Sequence, residues 1–159
     1  MTEESGDARG VSSGLLIAGL GNVLLMDDGV GVHAVRALRA APIAGAEIVE
    51  VGTAVFDALD LVEASRIVIA LDAVQARNPP GTIYELRPGE PSAREIHTSL
   101  HELDLRALFG FLPQAKRPEL IVLGVEPSRI ETGLELSATV EAILPEFIAL
   151  VRRVAAEHL

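Results

Sequence analysis

The sequence predicts an α/β fold, because short apolar, β-branched runs alternate along the chain with longer stretches of helical periodicity. Two further observations narrow the type. The runs Leu15–Leu20 and Ile67–Asp72 are almost continuously apolar, as strands covered on both faces must be. Only about nine residues separate the third strand from the fourth, too few for a parallel crossover, so the fourth strand is expected to run antiparallel to the others.

The elements follow in order. Leu15–Leu20 is the first strand. A helix is expected from Gly29 to Ala40, with Val30, Val35 and Leu38 along one stripe. Glu47–Val51 reads as the second strand, and Val55 to Ala64 as a helix in which Val55, Leu59 and Val62 recur at helical spacing. Ile67–Asp72 is the third strand. The turn through Asn78, Pro79, Pro80 and Gly81 leads to a less buried fourth strand, Thr82–Leu86. A loop with Pro88, Gly89 and Pro91 precedes a helix from Ser99 to Phe111, and Leu120–Val125 is the fifth strand. The last helix, Ser137 to Glu157, carries the stripe Val140, Ile143, Leu144, Phe147, Ile148, Val151 and Val154, which reads as core packing; Pro145 is expected to kink or restart it.

The chain has 159 residues, which suits one domain, assigned to 14–159. Residues 1–13 are polar and acidic, lack the basic start and apolar centre of a signal peptide, and are expected to form a disordered tail. No apolar run approaches the roughly 18 residues that span a bilayer, so the expectation is a cytoplasmic protein without a membrane partner. A net charge of −10 repels a polyanion and argues against nucleic acid as a partner. The absence of cysteine removes disulfides, a thiol nucleophile and thiolate metal sites. With no coiled-coil heptads, the expected state is a monomer.

Chemistry concentrates at three places. Gly19-Leu20-Gly21-Asn22 leaves the first strand as a dinucleotide fingerprint would, but position 24, where a third glycine is needed, is Leu24. Asp27 and Asp28 then stand where the next helix begins and would compete with a phosphate there, so no nucleotide cofactor is expected. One of the two aspartates is expected to cap the helix; being adjacent, they cannot share a role. Asp72 ends the third strand, and ligand sites of open α/β sheets lie beyond the carboxyl ends of the strands. If strands one and three are neighbours, Asp28 and Asp72 converge. In His97-Thr98-Ser99-Leu100-His101 the two histidines are four apart, but the zinc-protease pattern HExxH is not completed. His97 reads as solvated loop, whereas His101 begins a helix and can reach the same crevice. Two carboxylates and an imidazole would suit a borderline divalent ion such as Ni(II), Zn(II) or Mn(II), with positions left open for water or substrate. There is no Gly-x-Ser-x-Gly elbow and no phosphate-binding Walker loop, and no serine has a base paired to it in sequence, so the catalytic residues stay unassigned.

The run Gly19-Leu20-Gly21-Asn22-Val23-Leu24-Leu25-Met26-Asp27-Asp28-Gly29-Val30-Gly31 closely resembles the opening signature of the hydrogenase maturation protease family. Gly52-Thr53, Asp72-Ala73, Pro80-Gly81-Thr82, Ser99-Leu100-His101-Glu102-Leu103 and Gly124-Val125-Glu126-Pro127 resemble later elements of that family, in order and with similar spacing. One departure is that Glu50-Val51-Gly52-Thr53 stands where the family often has Asp-Gly-Gly-Thr. The resemblance implies a three-layer α/β/α sandwich on a five-stranded mixed sheet with strand four antiparallel. It implies that Asp28, Asp72 and His101 are the metal-binding positions. The implied activity is an endopeptidase, metal-dependent or aspartyl in type, that removes a C-terminal extension from the precursor of a NiFe hydrogenase large subunit, with nickel supplied by the substrate. Asn22 and Thr53 are candidates for substrate contact, against the alternative that they only serve turn hydrogen bonds. Two other functions use the same cluster: a nickel-delivery module that cleaves nothing, and a related metallopeptidase or germination-type protease acting on another protein.

Overall fold

A computed structural model describes residues 14–88 and 100–159. The expected N-terminal tail and His97 lie outside the described residues.

The elements are β1 (Leu15–Leu20), α1 (Val30–Ala40), β2 (Glu47–Gly52), α2 (Leu59–Glu63), β3 (Ile67–Ala73), β4 (Ile83–Leu86), α3 (Leu100–Gly110), β5 (Glu119–Val125) and α4 (Ala138–Ala156). The five strands form one sheet in the order β2-β1-β3-β5-β4. β1 is parallel to β2 and β3, and β3 to β5; β4 runs antiparallel to β5, as its short connection requires. β1 and β3 are buried along their whole length, so their uninterrupted apolar runs cover both faces of the sheet.

Side chains alternate across each strand. Ile17, Ile69, Leu71 and Leu123 pack with α1 and α4 residues such as Val35, Leu38, Phe147 and Val151. Leu16, Ala18, Val68, Ala70 and Val122 pack on the opposite face with Val55, Val62, Leu105 and Leu108. Two helical layers therefore enclose the sheet, which makes the architecture a three-layer α/β/α sandwich.

Two local expectations are corrected and a third is narrowed. The helix expected over Val55 to Ala64 begins as a 3-10 turn, Val55–Ala58, and only Leu59–Glu63 is α-helical. In a 3-10 turn residues three apart eclipse, which places Val55 and Ala58 together against the sheet, and both are buried. The helix expected from Gly29 likewise starts at Val30, behind a 3-10 turn at Met26–Gly29. α4 passes through Pro145 without restarting. The carbonyl that loses its bond there belongs to Glu141, and both residues are exposed, so water can replace the missing N–H. Among the described residues no helix is long and apolar enough to cross a membrane.

Candidate functional site

The glycines of the first motif bring three strand ends together. Gly21 has φ +109°, and a Cβ on it would lie 1.9 Å from the Asp28 carbonyl oxygen, so only glycine lets the loop fold back onto itself here. A Cβ on Gly31 would lie 1.9 Å from the Leu71 carbonyl oxygen, which means that α1 is pressed directly onto β3 one residue before Asp72. The Gly21 N–H also donates to the Gly52 carbonyl at 3.1 Å, tying the end of β2 to the same loop. With Gly19, where an added Cβ would lie 2.6 Å from the Gly31 carbonyl oxygen, these contacts account for the Gly-x-Gly pattern through packing.

The two aspartates that follow part company. Asp27 is fully buried. Its carboxylate accepts from Ser128 N at 2.9 Å, Arg129 N at 2.8 Å, Ser137 N at 2.8 Å and Ser137 Oγ at 2.7 Å. It thereby clasps the loop leading into α4, whose N-cap is Ser137 itself. The expectation that one aspartate caps α1 is corrected: the residue before α1 is Gly29, and no side chain caps that end. Asp27 instead serves a helix more than a hundred residues away in sequence.

Asp28 lies beyond the carboxyl end of β1 and turns toward α3. Its Oδ2 accepts from the Asn22 N–H at 2.9 Å and lies 3.2 Å from Nε2 of His101, on the first turn of α3. The two side chains are 19 % and 15 % exposed, so the pair is sheltered yet open to a ligand. Burial pushes the Asp28 carboxyl up, but the His101 hydrogen bond, the Asn22 N–H and the His101 charge outweigh it and leave the carboxyl below its ordinary value. The Asp28 hydrogen bond raises the imidazole of His101 above its ordinary value against burial, and the charges of Asp72, Asp28 and Asp104 add to the rise. Asp72 is buried near the end of β3, paired in register with Gly124, and one of its oxygens accepts from the Ala73 N–H at 2.9 Å. By strand alternation Asp72 follows Val68 and Ala70 on the face covered by α3, the face from which His101 approaches.

Asp28 and His101 are thus in direct contact, and Asp72 acts on His101 through its field. Among the described residues no three His, Asp or Glu side chains stand together at metal-holding spacing. An ion entering here would replace the hydrogen bond between Asp28 and His101, and the oxygen and nitrogen donors are of the type a borderline divalent ion takes. Asn22 lies in the same loop, where its side-chain oxygen accepts from the Leu24 N–H at 2.9 Å, a turn bond. Thr53 is exposed in the turn after β2. Glu50, at the position where the chain departs from the family pattern, is held by Arg36 at 2.7 Å, and Val51 occupies a register shift between β1 and β2.

Glu126, quoted in the sequence only within a motif and given no role there, has a buried carboxylate. Glu126, just beyond β5, accepts from the Ala76 N–H at 2.9 Å and the Tyr84 hydroxyl at 2.7 Å. Its backbone binds the Pro80-Gly81-Thr82 turn: Gly81 N donates to its carbonyl at 2.9 Å, and its N–H donates to Thr82 O at 2.8 Å. The sequence contains a weak signal for it, a lone acid between an apolar strand and a proline, but its partners lie far back along the chain.

Comparison with known proteins follows the same lines. A family profile described as HycI, hydrogenase maturation protease, matches residues 32–154. The hydrogenase 2 maturation protease of Escherichia coli K12 is 34 % identical over 136 residues, covering 82 % of this chain and 83 % of its own. The structure of the E. coli hydrogenase maturating endopeptidase HybD superposes with a TM-score of 0.80 at 31 % identity, over 91 % of this chain and 93 % of that one. The [NiFe] hydrogenase maturation protease HybD from Thermococcus kodakarensis gives a TM-score of 0.74 at 28 % identity, over 89 % of this chain and 98 % of that one. With this profile match, these relatives and this fold, the chain belongs to the hydrogenase maturation protease family.

Proposed function

We propose that this endopeptidase removes a C-terminal extension from the nickel-loaded precursor of a NiFe hydrogenase large subunit, and that it recognises the nickel through Asp28, Asp72 and His101. The observation that carries the reading is the contact between Asp28 and His101 at 3.2 Å, with Asp72 acting on the same imidazole, at the carboxyl edge of the sheet. The nickel is a part of the substrate. It arrives with ligands from the precursor and takes the carboxylates and imidazole in place of their mutual hydrogen bond. Docking in this way would bring the scissile peptide, and the metal or a water it activates, to one place. We infer that Thr53, exposed in the turn after β2, and Asn22, in the loop that carries Asp28, contact the peptide. The reaction takes place where the precursor is made, in the cytoplasm.

The test is mass spectrometry of a NiFe large-subunit precursor incubated with the enzyme, with and without nickel, using wild type and His101→Ala. Loss of a C-terminal peptide only with nickel, and only by wild type, is the expected result. Equal cleavage by both proteins without nickel overturns the assignment of the site. Nickel binding without any cleavage overturns the proteolytic role on this substrate.

A further inference from the structure

We propose that a second surface, formed by Leu24, Ile130 and Leu134 with the acidic cavity beside them, docks an apolar patch of the precursor protein centred on a basic side chain. The inference rests on the reading given under Proposed function and extends it from the metal to the protein that carries it.

Leu24, Ile130 and Leu134 are 57 %, 41 % and 68 % exposed. They are neighbours because two loops are bonded together: Gly133 N donates to Leu24 O at 2.9 Å, Met26 N to Gly133 O at 3.0 Å, and Asp27 N to Arg129 O at 3.1 Å. The buried Asp27 carboxylate adds the bonds to Ser128, Arg129 and Ser137 described above. Met26 adopts φ 48°, an uncommon backbone for a residue with a side chain, and a Cβ on Gly133 would come within 2.8 Å of its Cγ. Large aliphatic side chains are thus held facing water on a rigid platform, where a solvent loop would ordinarily carry polar residues. The platform is the same loop that presents Asp28.

The partner chemistry is set by the cavity next to Leu134. It has a volume of about 270 Å³ and is lined by Leu134, Leu136 and Leu144 together with His33, Glu135 and Glu141. The exposed carboxylates of Glu135 and Glu141 beside these leucines accept hydrogen bonds and favour positive charge. A bare metal ion does not fit, since no three such groups stand at coordinating distance among the described residues. A lysine or arginine does, because its stem lies along leucine side chains while its head meets the carboxylates. On a chain of net charge −10, a basic partner surface is also the one the overall field attracts.

The experiment measures steady-state processing of a nickel-loaded NiFe large-subunit precursor by wild type, Leu24→Ser/Leu134→Ser, Glu135→Gln/Glu141→Gln, and Leu159→Ser as an equally exposed apolar control away from the platform. The melting temperature of each verifies folding, and binding of the precursor is measured separately by calorimetry. The leucine pair is expected to raise KM and Kd by about tenfold or more, since full burial of even one leucine carries roughly a tenfold effect. The glutamine pair is expected to raise both severalfold at low salt and to flatten their salt dependence. The control should match wild type. Unchanged KM and Kd in folded leucine and glutamine variants, with wild type processing normally, overturn the docking surface and leave the protease reading standing. Failure of wild type to bind or cleave the precursor overturns that reading, and this inference with it.

Discussion

Asp27 and Asp28 are the same residue one peptide bond apart, yet one is saturated by hydrogen-bond donors from a distant loop and the other is left facing a histidine. The separation has a local cause. Both lie in the 3-10 turn Met26–Gly29, where successive side chains point a third of a turn apart. Asp27 therefore enters the protein and Asp28 faces His101. The difference teaches that a carboxylate at a strand end belongs to the scaffold when backbone N–H groups satisfy it, and to the site when its principal partner can be displaced.

The sharpest way to break this comparison is to remove each side chain in turn. Asp28→Ala, and equally Asp72→Ala or His101→Ala, should lower nickel-dependent processing by roughly 100-fold or more, because loss even of a partner of a metal ligand costs 10–100-fold. The melting temperature of Asp28→Ala should shift by only a few degrees. Asp27→Ala should do the reverse at the level of the fold. It strands the N–H groups of Ser128, Arg129 and Ser137, at about 1–3 kcal/mol for each that stays buried. A total near 3–5 kcal/mol corresponds to a melting-temperature fall of about 10 °C. Chemical denaturation and the cleavage assay, run on both variants, separate the roles; a fully stable Asp27→Ala protein would end the comparison.

A smaller effect sharpens the Asp28 side. The folded His101 should titrate above 6.5, and in Asp28→Asn its midpoint should fall, as read by NMR of the imidazole. The direction of the stability effect follows. The raised imidazole contributes stability that is complete below 6.5 and is lost as pH rises through the elevated midpoint. The lowered Asp28 carboxyl contributes stability that is present above about 3.8 and is lost as pH falls through its depressed midpoint. The pair should therefore stabilise the protein most between those limits, and Asp28→Asn should flatten the dependence. A His101 midpoint unchanged by Asp28→Asn would show that the two do not interact in solution.

Much of this was legible in the sequence because it depends on local pattern. β1 stands at its expected bounds, and β3 and β5 extend theirs by one residue, since continuous apolar runs have no other stable environment. The antiparallel β4 followed from chain length alone. The approach of Asp28 to His101 was legible only through the position of strand ends and a family resemblance. What stayed hidden is pairing across sequence distance. Nothing near Asp27 indicates Ser137, and nothing near Glu126 indicates Tyr84. The 3-10 turns were hidden as well, because their spacing of three is also found in an α-helical stripe.

Glu126 offers the last and smallest test, because it is a second scaffold carboxylate on the same edge of the sheet and has a built-in reporter. Tyr84 is the only tyrosine and the chain has no tryptophan, so ultraviolet absorbance during alkaline titration follows that phenol alone. Burial and the bond to Glu126 both push the Tyr84 hydroxyl above its ordinary value, the Glu126 charge adds to them, and Asn78 opposes. In Glu126→Gln the negative charge is gone while the shape is kept, so the midpoint should move down toward the ordinary phenol value. Processing should change little, since Glu126 binds Ala76 and Tyr84 rather than the crevice. A midpoint that stays high in Glu126→Gln would assign the whole shift to burial. A large loss of processing would move Glu126 from the scaffold to the site, and the rule drawn from Asp27 and Asp28 would then fail on this edge of the sheet.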